Sequence, residues 1–183
     1  MKTENYHLIL VNNEHPLPVG FVAKDLIDVM QETPRHFFLF RRIKLNRECF
    51  EAANRMFAKA EIDGLDDFII RGGFRTRREQ KAAYGRWGDG NAARPGCSEH
   101  QTGLAIDVDF PGGVYENTPY YEWLLKNAAD YGFILRYPKD RDDITGYNFE
   151  PWHWRYVGVE AAREIMDKDI VLEEYYKQII RSL

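Results

Sequence analysis

The chain has 183 residues, a formal net charge of −4 and a hydrophobic content of 44%. This length predicts one domain with a single core, and the composition argues against a disordered chain and gives no reason to expect a nucleic-acid partner. Its two cysteines, Cys49 and Cys97, exclude a disulfide framework. Cys97 is predicted to be a buried thiol rather than an extra metal ligand.

The N-terminal segment carries a short apolar run at residues 8–11, which predicts a short strand. This run is shorter than the apolar region of a signal peptide or a membrane span. We therefore expect a cytoplasmic protein without a membrane span, although a chain trimmed of a leader would read the same. Prolines at positions 16, 18 and 34 predict an irregular segment that wraps the surface.

The first long helix is predicted to begin after Asn46, which is a suitable N-cap. Its buried face repeats at helical spacing through Cys49, Phe50, Ala53, Met56, Phe57 and Ala60. A buried strand at residues 68–70 and a glycine-rich turn lead to Arg75. Thr76-Arg77-Arg78-Glu79 then forms a capping box for a helix that runs to about Trp87. Arg75 is therefore held at a strand-to-helix junction.

The second half of the chain mixes strands and helices. Leu104 to Asp109 alternates as a strand, and Pro119 opens a helix that Gly132 ends. Two further strands and two closing helices are predicted at residues 133–137, 149–157, 159–167 and 170–181. A polar turn region is expected at residues 141–148. This order predicts an α+β fold with a small antiparallel sheet and flanking helices.

Two histidines and one aspartate lie in segments that also supply further acids. They are His100, Asp107 and His153. A carboxylate within the apolar strand around Asp107 is costly to bury unless it is paired, hydrogen-bonded or bound to a metal. Two imidazoles and a carboxylate are the three ligands that a catalytic zinc keeps when its fourth position holds water, although they also suit other divalent ions. Asp109 shares the strand face and could compete as the ligand.

A general base and a cationic group accompany this set. Glu150 precedes His153 by three residues and is the expected base of metal-assisted hydrolysis. Near a metal, Arg75 could stabilise the oxyanion of a tetrahedral intermediate or bind a carboxylate. Plainer interpretations make Glu150 a loop acid, Arg75 a surface ion-pair partner and His100 a turn histidine. The remaining histidines are predicted to be structural or exposed: His7, His15 and His36.

Three motifs occur together in this chain. They are Ser98-x-His100-x-x-Gly103-x-Ala105-x-Asp107, Glu150-x-x-His153, and Gly73-Phe74-Arg75 with Gln80. In combination they closely resemble the VanY family of zinc D,D-carboxypeptidases, over roughly residues 8–160. Pro95-Gly96-Cys97 before Ser98 is most similar to the VanXY branch, the D,D-dipeptidase/D,D-carboxypeptidases of vancomycin resistance.

The resemblance implies a role for each motif residue and a fold like that of the hedgehog and D-Ala-D-Ala peptidases. It implies one zinc ion held by His100, Asp107 and His153. Glu150 would take a proton from the attacking water and return it to the leaving amine, and Arg75 would stabilise the oxyanion. The substrate would be bound by Ser98, Gln80, Tyr137 and Trp152.

The implied function is removal of the terminal D-Ala from D-Ala-D-Ala-ended peptidoglycan precursors, with hydrolysis of free D-Ala-D-Ala dipeptide as a second activity. Gly72 stands where relatives tend to have Ser or Asp, so we expect the dipeptidase activity to be the weaker one. The expected partner is therefore a D-Ala-D-Ala-terminated peptide.

Alternatives remain open at this point. One is an L,D-carboxypeptidase or L-Ala-D-Glu endopeptidase on the same fold. The other is a non-catalytic zinc-stabilised peptidoglycan-binding module, against which Glu150 argues because a structural site needs no base. In each case we expect a single domain over residues 1–183, with a wrapping segment (1–45), a core (46–160) and C-terminal helices (159–183).

Overall fold

The computed structural model describes residues 3–32, 36–112 and 115–181. In this part of the chain the strands are β1 (Leu26–Asp28), β2 (Phe38–Leu39), β3 (Lys44–Asn46), β4 (Ile69–Gly72), β5 (Ala105–Asp109), β6 (Phe133–Leu135) and β7 (His153–Tyr156). The α-helices are α1 (Arg47–Ile62), α2 (Arg77–Trp87), α3 (Pro119–Asn127), α4 (Asp142–Thr145), α5 (Val159–Asp167) and α6 (Leu172–Arg181). Short 3₁₀-helices occupy Thr3–Leu8, Glu99–Thr102 and Ala128–Tyr131.

The centre of the fold is a five-stranded sheet in the order β2-β4-β5-β7-β6. All neighbouring strands are antiparallel except β2 and β4, which pair in parallel at one edge. A separate antiparallel pair joins β1 to β3. The predicted α+β fold with a small, mainly antiparallel sheet and flanking helices is confirmed.

The main core lies between α1 and one face of the sheet. Every residue predicted for the buried face of α1 is buried, and the Phe57 ring lies 4.9 Å from the Phe68 ring. Leu104, just before β5, and Ile106 and Val108 on β5 belong to this core. The alternation of side chains along a strand therefore turns Asp107 to the opposite face, where the polar site forms.

A second cluster packs the C-terminal helices α5 and α6 against the other side of the sheet. It includes Leu10, Ile134, Val157, Ile165 and Leu172. Both helices occur where the sequence predicted them. Within the described ranges, every helix falls short of the length and apolar character that crossing a membrane requires.

The prediction of a strand at residues 8–11 is wrong. A 3₁₀-helix ends at Leu8, and the residues after it extend without a strand partner. The Arg155 guanidinium donates hydrogen bonds to the carbonyls of His7 and Ile9, at 3.0 and 2.8 Å. A side chain thus satisfies backbone acceptors that a neighbouring strand would otherwise pair with.

Three other local predictions need correction. The wrapping segment is less irregular than expected, since β1, β2 and β3 lie within or at the end of it, and the polar region at 141–148 contains the short helix α4. The last sheet strand begins at His153 rather than at residue 149. Pro151 has no N–H for a ladder, and the His153 N–H turns back to the Glu150 carbonyl at 3.1 Å.

Candidate active site

A cavity of about 440 Å³ brings together every site residue that the sequence predicted. Its lining includes Arg75, Gln80, Ser98, His100, Asp107, Tyr137, Glu150, Trp152 and His153. They come from α2, β5, β7, the 3₁₀-helix Glu99–Thr102 and the loops between, so the cavity exists only when the sheet is assembled. Its volume is in the range of ordinary small-molecule sites.

The register of the sheet places Asp107 between residues of the two adjacent strands. Asp107 on the central strand β5 lies directly opposite His153 on β7 and Gly72 on β4. Cross-strand neighbours have Cβ atoms about 4.5–5.5 Å apart, close enough to share an ion. The imidazole of His100 joins them from the 3₁₀-helix Glu99–Thr102.

Gly103 ends that short helix in a conformation that only glycine adopts readily. Its φ is +77°, and a Cβ there would lie 3.0 Å from the Asn46 nitrogen. The Asn46 N–H in turn donates to the Gly103 carbonyl at 2.9 Å. This close approach fixes the turn that carries His100.

The tautomer of His100 follows from its backbone contact. His100 Nδ1 lies 2.8 Å from the Gly73 carbonyl oxygen, which can only accept a hydrogen bond, so Nδ1 carries the proton. The Nε2 lone pair then faces Asp107 Oδ1 at 3.2 Å. Burial, aided by the charge of Arg75, lowers the pKa of His100 to about 4, so the ring is neutral at physiological pH.

His153 meets the same carboxylate from the other side. Its Nδ1 lies 3.6 Å from Asp107 Oδ1 and 3.5 Å from Glu150 Oε2. Its Nε2 lies 3.4 Å from Glu99 Oε2, on the side away from the cluster. One ligand atom from each of His100, Asp107 and His153 lies within 4.8 Å of the others, so the three residues could hold a metal ion.

The polar atoms at the centre of this cluster support such an ion. His100 Nε2 and Asp107 Oδ1 are buried and have no hydrogen-bond partner in the described structure. Buried polar atoms are normally paired, because an unpaired one costs its full desolvation energy. Two imidazole nitrogens and a carboxylate match the donor set of zinc, and a cation at their centre would satisfy both atoms.

Arg75 holds the second oxygen of Asp107. Its Nη2 donates to Asp107 Oδ2 at 3.2 Å, and its Nη1 donates to Gln80 Oε1 at 3.1 Å. Gln80 is held in turn by a 2.7 Å bond to the Ala93 carbonyl. Burial raises the pKa of Asp107, whereas the guanidinium charge of Arg75 lowers it.

Gly72 provides the space that the Asp107 carboxylate occupies. A Cβ at Gly72 would lie 2.0 Å from Asp107 Oδ2, so a side chain there requires the carboxylate to move. The chain therefore lacks the polar group that a Ser or Asp would offer to the substrate from this position. Weaker cleavage of free dipeptide stays a prediction.

Glu150 reaches the cluster through a turn. Its N–H donates to the Tyr137 carbonyl at 3.0 Å, and its carbonyl accepts from the His153 N–H. Burial raises the pKa of Glu150 to about 7. A carboxylate whose pKa lies near the working pH is suited to exchange protons as a general base and then a general acid.

The other acids, cysteines and histidines considered from the sequence lie outside the metal cluster. Asp109 accepts hydrogen bonds from Arg71 and Tyr115 instead of joining the cluster. Cys49 and Cys97 are buried free thiols. His7, His15 and His36 lie outside the cavity lining.

Sequence reasoning missed several cavity residues and one buried acid. Trp87, Tyr147, Asn148 and Phe149 also line the cavity, and the Tyr147 hydroxyl is buried with no hydrogen-bond partner in the described structure. Tyr147 precedes Glu150 by three residues in the sequence. This closeness to the Glu150 motif could have identified Tyr147 as a cavity residue. Glu99 had no local signal, because its partners Arg136 and Arg155 are distant in the sequence.

Thr76 is the N-cap of α2, the helix that carries Gln80 and begins just after Arg75. Thr76 and Glu79 form the predicted capping box, with both reciprocal bonds present. We expect Thr76→Ala to lower the free energy of unfolding by about 1 kcal/mol, as loss of an N-cap does. Urea unfolding measures this, with Arg78→Ala on the same exposed turn as the control. Equal stability of the two variants would contradict the cap's contribution.

Known peptidases are similar to this chain in sequence. The family profile named VanY, described as D-alanyl-D-alanine carboxypeptidase, matches residues 42–159. The D-alanyl-D-alanine carboxypeptidase of Enterococcus faecium is 35% identical over 92% of this chain and 57% of its own length. VanXYC of Enterococcus gallinarum, a bifunctional D-Ala-D-Ala dipeptidase and carboxypeptidase, is 35% identical over 73% of this chain and 79% of its own.

Several solved peptidase structures also resemble the fold of this chain. The LD-carboxypeptidase LdcB superposes with a TM-score of 0.82 at 35% identity, covering 95% of this chain and 88% of its own. A vancomycin-resistance D,D-pentapeptidase VanY in complex with Zn(II) has a TM-score of 0.74 at 33% identity, covering 93% and 99%. VanYB in complex with D-alanine-D-alanine has a TM-score of 0.75 at 34% identity, covering 94% and 98%. The chain spans 57% and 66% of the length of the carboxypeptidases from Enterococcus faecium and Enterococcus faecalis.

Proposed function

The chain belongs to the VanY family of D-alanyl-D-alanine carboxypeptidases, and from this membership we propose that it removes the terminal D-Ala from D-Ala-D-Ala-ended peptidoglycan precursors. The observation that carries the proposal is the convergence of His100, Asp107 and His153, beside the buried acid Glu150, in one cavity. A non-catalytic binding module would have no use for an acid in that position.

Each site residue has a distinct task in this reaction. His100, Asp107 and His153 would hold a zinc ion, which would supply Lewis acidity to the attacking water and the scissile carbonyl. Glu150 takes a proton from the attacking water and returns it to the leaving amine of D-Ala. Arg75 donates to the carbonyl oxygen as that oxygen gains negative charge. Its guanidinium has five N–H donors, so donors remain beyond the two that bind Asp107 and Gln80.

The remaining lining residues suit recognition of a peptide end. Ser98 and Gln80 would hold the terminal D-Ala and its carboxylate, with Tyr137 and Trp152 as walls. Trp87 and Trp152 line the cavity yet keep 57% and 37% of their surface exposed, which is consistent with a binding site that continues outwards for a longer peptide. A site of this kind favours a pentapeptide over the free dipeptide.

An L,D-carboxypeptidase is the second candidate, and the superposition on LdcB favours it. The two activities act on different ends: a D,D-carboxypeptidase needs the D-Ala-D-Ala terminus of a pentapeptide. An L,D-carboxypeptidase instead removes the single D-Ala of a tetrapeptide.

The location of the protein in the cytoplasm remains an expectation from the sequence.

A three-substrate assay separates the candidates. We expect D-Ala release from the pentapeptide, at least tenfold slower release from free D-Ala-D-Ala because Gly72 offers no side chain, and none from the tetrapeptide. The D-Ala released from each substrate at equal concentration is measured with zinc-loaded enzyme. Release from the tetrapeptide alone would replace the proposal by the L,D activity. No release from any of them would overturn both candidates.

A further inference from the structure

Glu99 is a fully buried acid that has no task in the reaction just described. It lies on the 3₁₀-helix beside His100, and its side chain is shielded from solvent. Its Oε1 accepts hydrogen bonds from Arg136 Nε and Arg155 Nη1, each at 2.7 Å. Its Oε2 faces His153 Nε2 at 3.4 Å. One oxygen is thus occupied by two guanidinium groups, and the other is directed at a residue of the metal cluster.

The surroundings of Glu99 hold it rigidly in this orientation. Arg136 also forms a two-bond pair with Glu173 on α6, at 2.6 and 2.9 Å. Arg155 also donates to the carbonyls of His7 and Ile9. Both arginines are completely buried and need nearby negative charge, because a buried unpaired charge is strongly destabilising. Glu99 therefore has little freedom to rotate or to exchange its two oxygens.

From this arrangement we propose that Glu99 is a positioning residue that fixes the tautomer of His153. An ionised carboxylate can only accept a hydrogen bond, so the ring nitrogen facing Glu99 Oε2 must be Nε2–H. The lone pair is then on Nδ1, the atom that faces Asp107 Oδ1 and Glu150 Oε2. This inference rests on the proposed function in one respect: it takes His153 as a metal ligand. Carboxylates that orient a ligating imidazole in this way strengthen metal binding.

Glu99→Gln tests this tautomer directly. The two arginine donors require an acceptor, so they should keep the glutamine carbonyl oxygen in the place of Oε1. The glutamine NH₂ group would then face His153 Nε2, and two donors would meet. The imidazole avoids this clash of two donors by moving its proton from Nε2 to Nδ1. The lone pair of Nδ1, the atom that faces Asp107, is then no longer free to bind a metal.

The closely matched control is Glu173→Gln. It removes the same charge from the same buried network, through the same partner Arg136, but it does not touch His153. Both variants should lose stability, since each leaves an arginine with less negative charge. Only Glu99→Gln should change the imidazole of His153.

The experiment has two readouts that need no turnover. Nitrogen-15 NMR of the imidazoles in metal-free protein reports which ring nitrogen of His153 is protonated. We expect Nε2–H in the wild type and in Glu173→Gln, and Nδ1–H in Glu99→Gln. Zinc affinity, measured by competition with a chromophoric chelator, should fall about 10- to 100-fold in Glu99→Gln and less than threefold in Glu173→Gln.

Several results would overturn the proposal. One is an Nδ1–H tautomer in the wild type, a measurement that remains possible even if Glu99→Gln does not fold. Another is an unchanged tautomer and zinc affinity in Glu99→Gln, and a third is an equal loss of affinity in both variants. Absence of peptidase activity with the expected tautomers and affinities would count against the proposed function alone.

Discussion

Replacing Glu150 by glutamine should lower the rate of D-Ala release from a D-Ala-D-Ala-ended pentapeptide by about 10²- to 10⁴-fold, the usual contribution of a general acid–base. Glutamine has nearly the same shape but cannot accept and return a proton. Glu150 Oε2 lies 3.5 Å from His153 Nδ1, and Glu150 lines the cavity beside the three residues that could hold the ion. The rate is measured with zinc-loaded enzyme at saturating peptide.

Two controls separate chemistry from folding in this experiment. The zinc content of Glu150→Gln should equal that of the wild type, because Glu150 is not one of the three residues that could hold the ion. Glu164→Gln, on the exposed face of α5 where Glu164 pairs with Lys168, should keep its full rate. Metal removal should abolish release in every variant. A Glu150→Gln enzyme that keeps more than a tenth of the rate would refute the role of Glu150 as the base.

The sequence predicted the elements whose signals are local. The N-cap at Asn46, the capping box of Thr76 and Glu79, and the alternation around Asp107 each depend on residues within one or two turns of chain. Neighbouring residues alone decide such features, so they can be read without the rest of the fold.

Convergence of the cluster could not be read from spacing alone. His100 and His153 meet because β7 inserts between β5 and β6 and sets His153 opposite Asp107. Strand order and register depend on long-range pairing, and no local pattern encodes them. The resemblance to the VanY family supplied this information. The site residues that it implied all line one cavity.

Long-range side chains also explain what the sequence missed. Glu99 follows a serine in a turn and would be expected at the surface. It is buried because Arg136 on the segment after β6 and Arg155 on β7 approach it from elsewhere in the chain. The same Arg155 binds the carbonyls of His7 and Ile9 and removes the need for the strand predicted there. Arg155 thus contributes both to the burial of the missed residue Glu99 and to the absence of the predicted strand.

Replacing Arg75 by methionine should lower kcat by about 10²- to 10³-fold, the effect of removing one donor to a developing oxyanion. The guanidinium is fixed by Asp107 Oδ2 and Gln80 Oε1, and the Arg75 N–H is bonded to the His100 carbonyl at 3.1 Å. Arg75→Lys keeps the charge but cannot span both partners, so it should recover only part of the loss. Loss of the Arg75 contact could also weaken the binding of zinc by Asp107, so the assays use saturating zinc.

The division of the loss between kcat and KM decides between the two roles that the sequence left open for Arg75. A donor to the oxyanion acts only in the transition state, so its removal lowers kcat and leaves KM nearly unchanged. A group that binds the terminal carboxylate acts already in the ground state, so its removal raises KM. Gln80→Leu removes a predicted carboxylate contact and provides the matched comparison, with Arg78→Met as the neutral control on α2. If Arg75→Met raised KM as Gln80→Leu is expected to do, with kcat unchanged, Arg75 would be a substrate-binding residue. Stabilisation of the oxyanion would then have to come from elsewhere in the cavity.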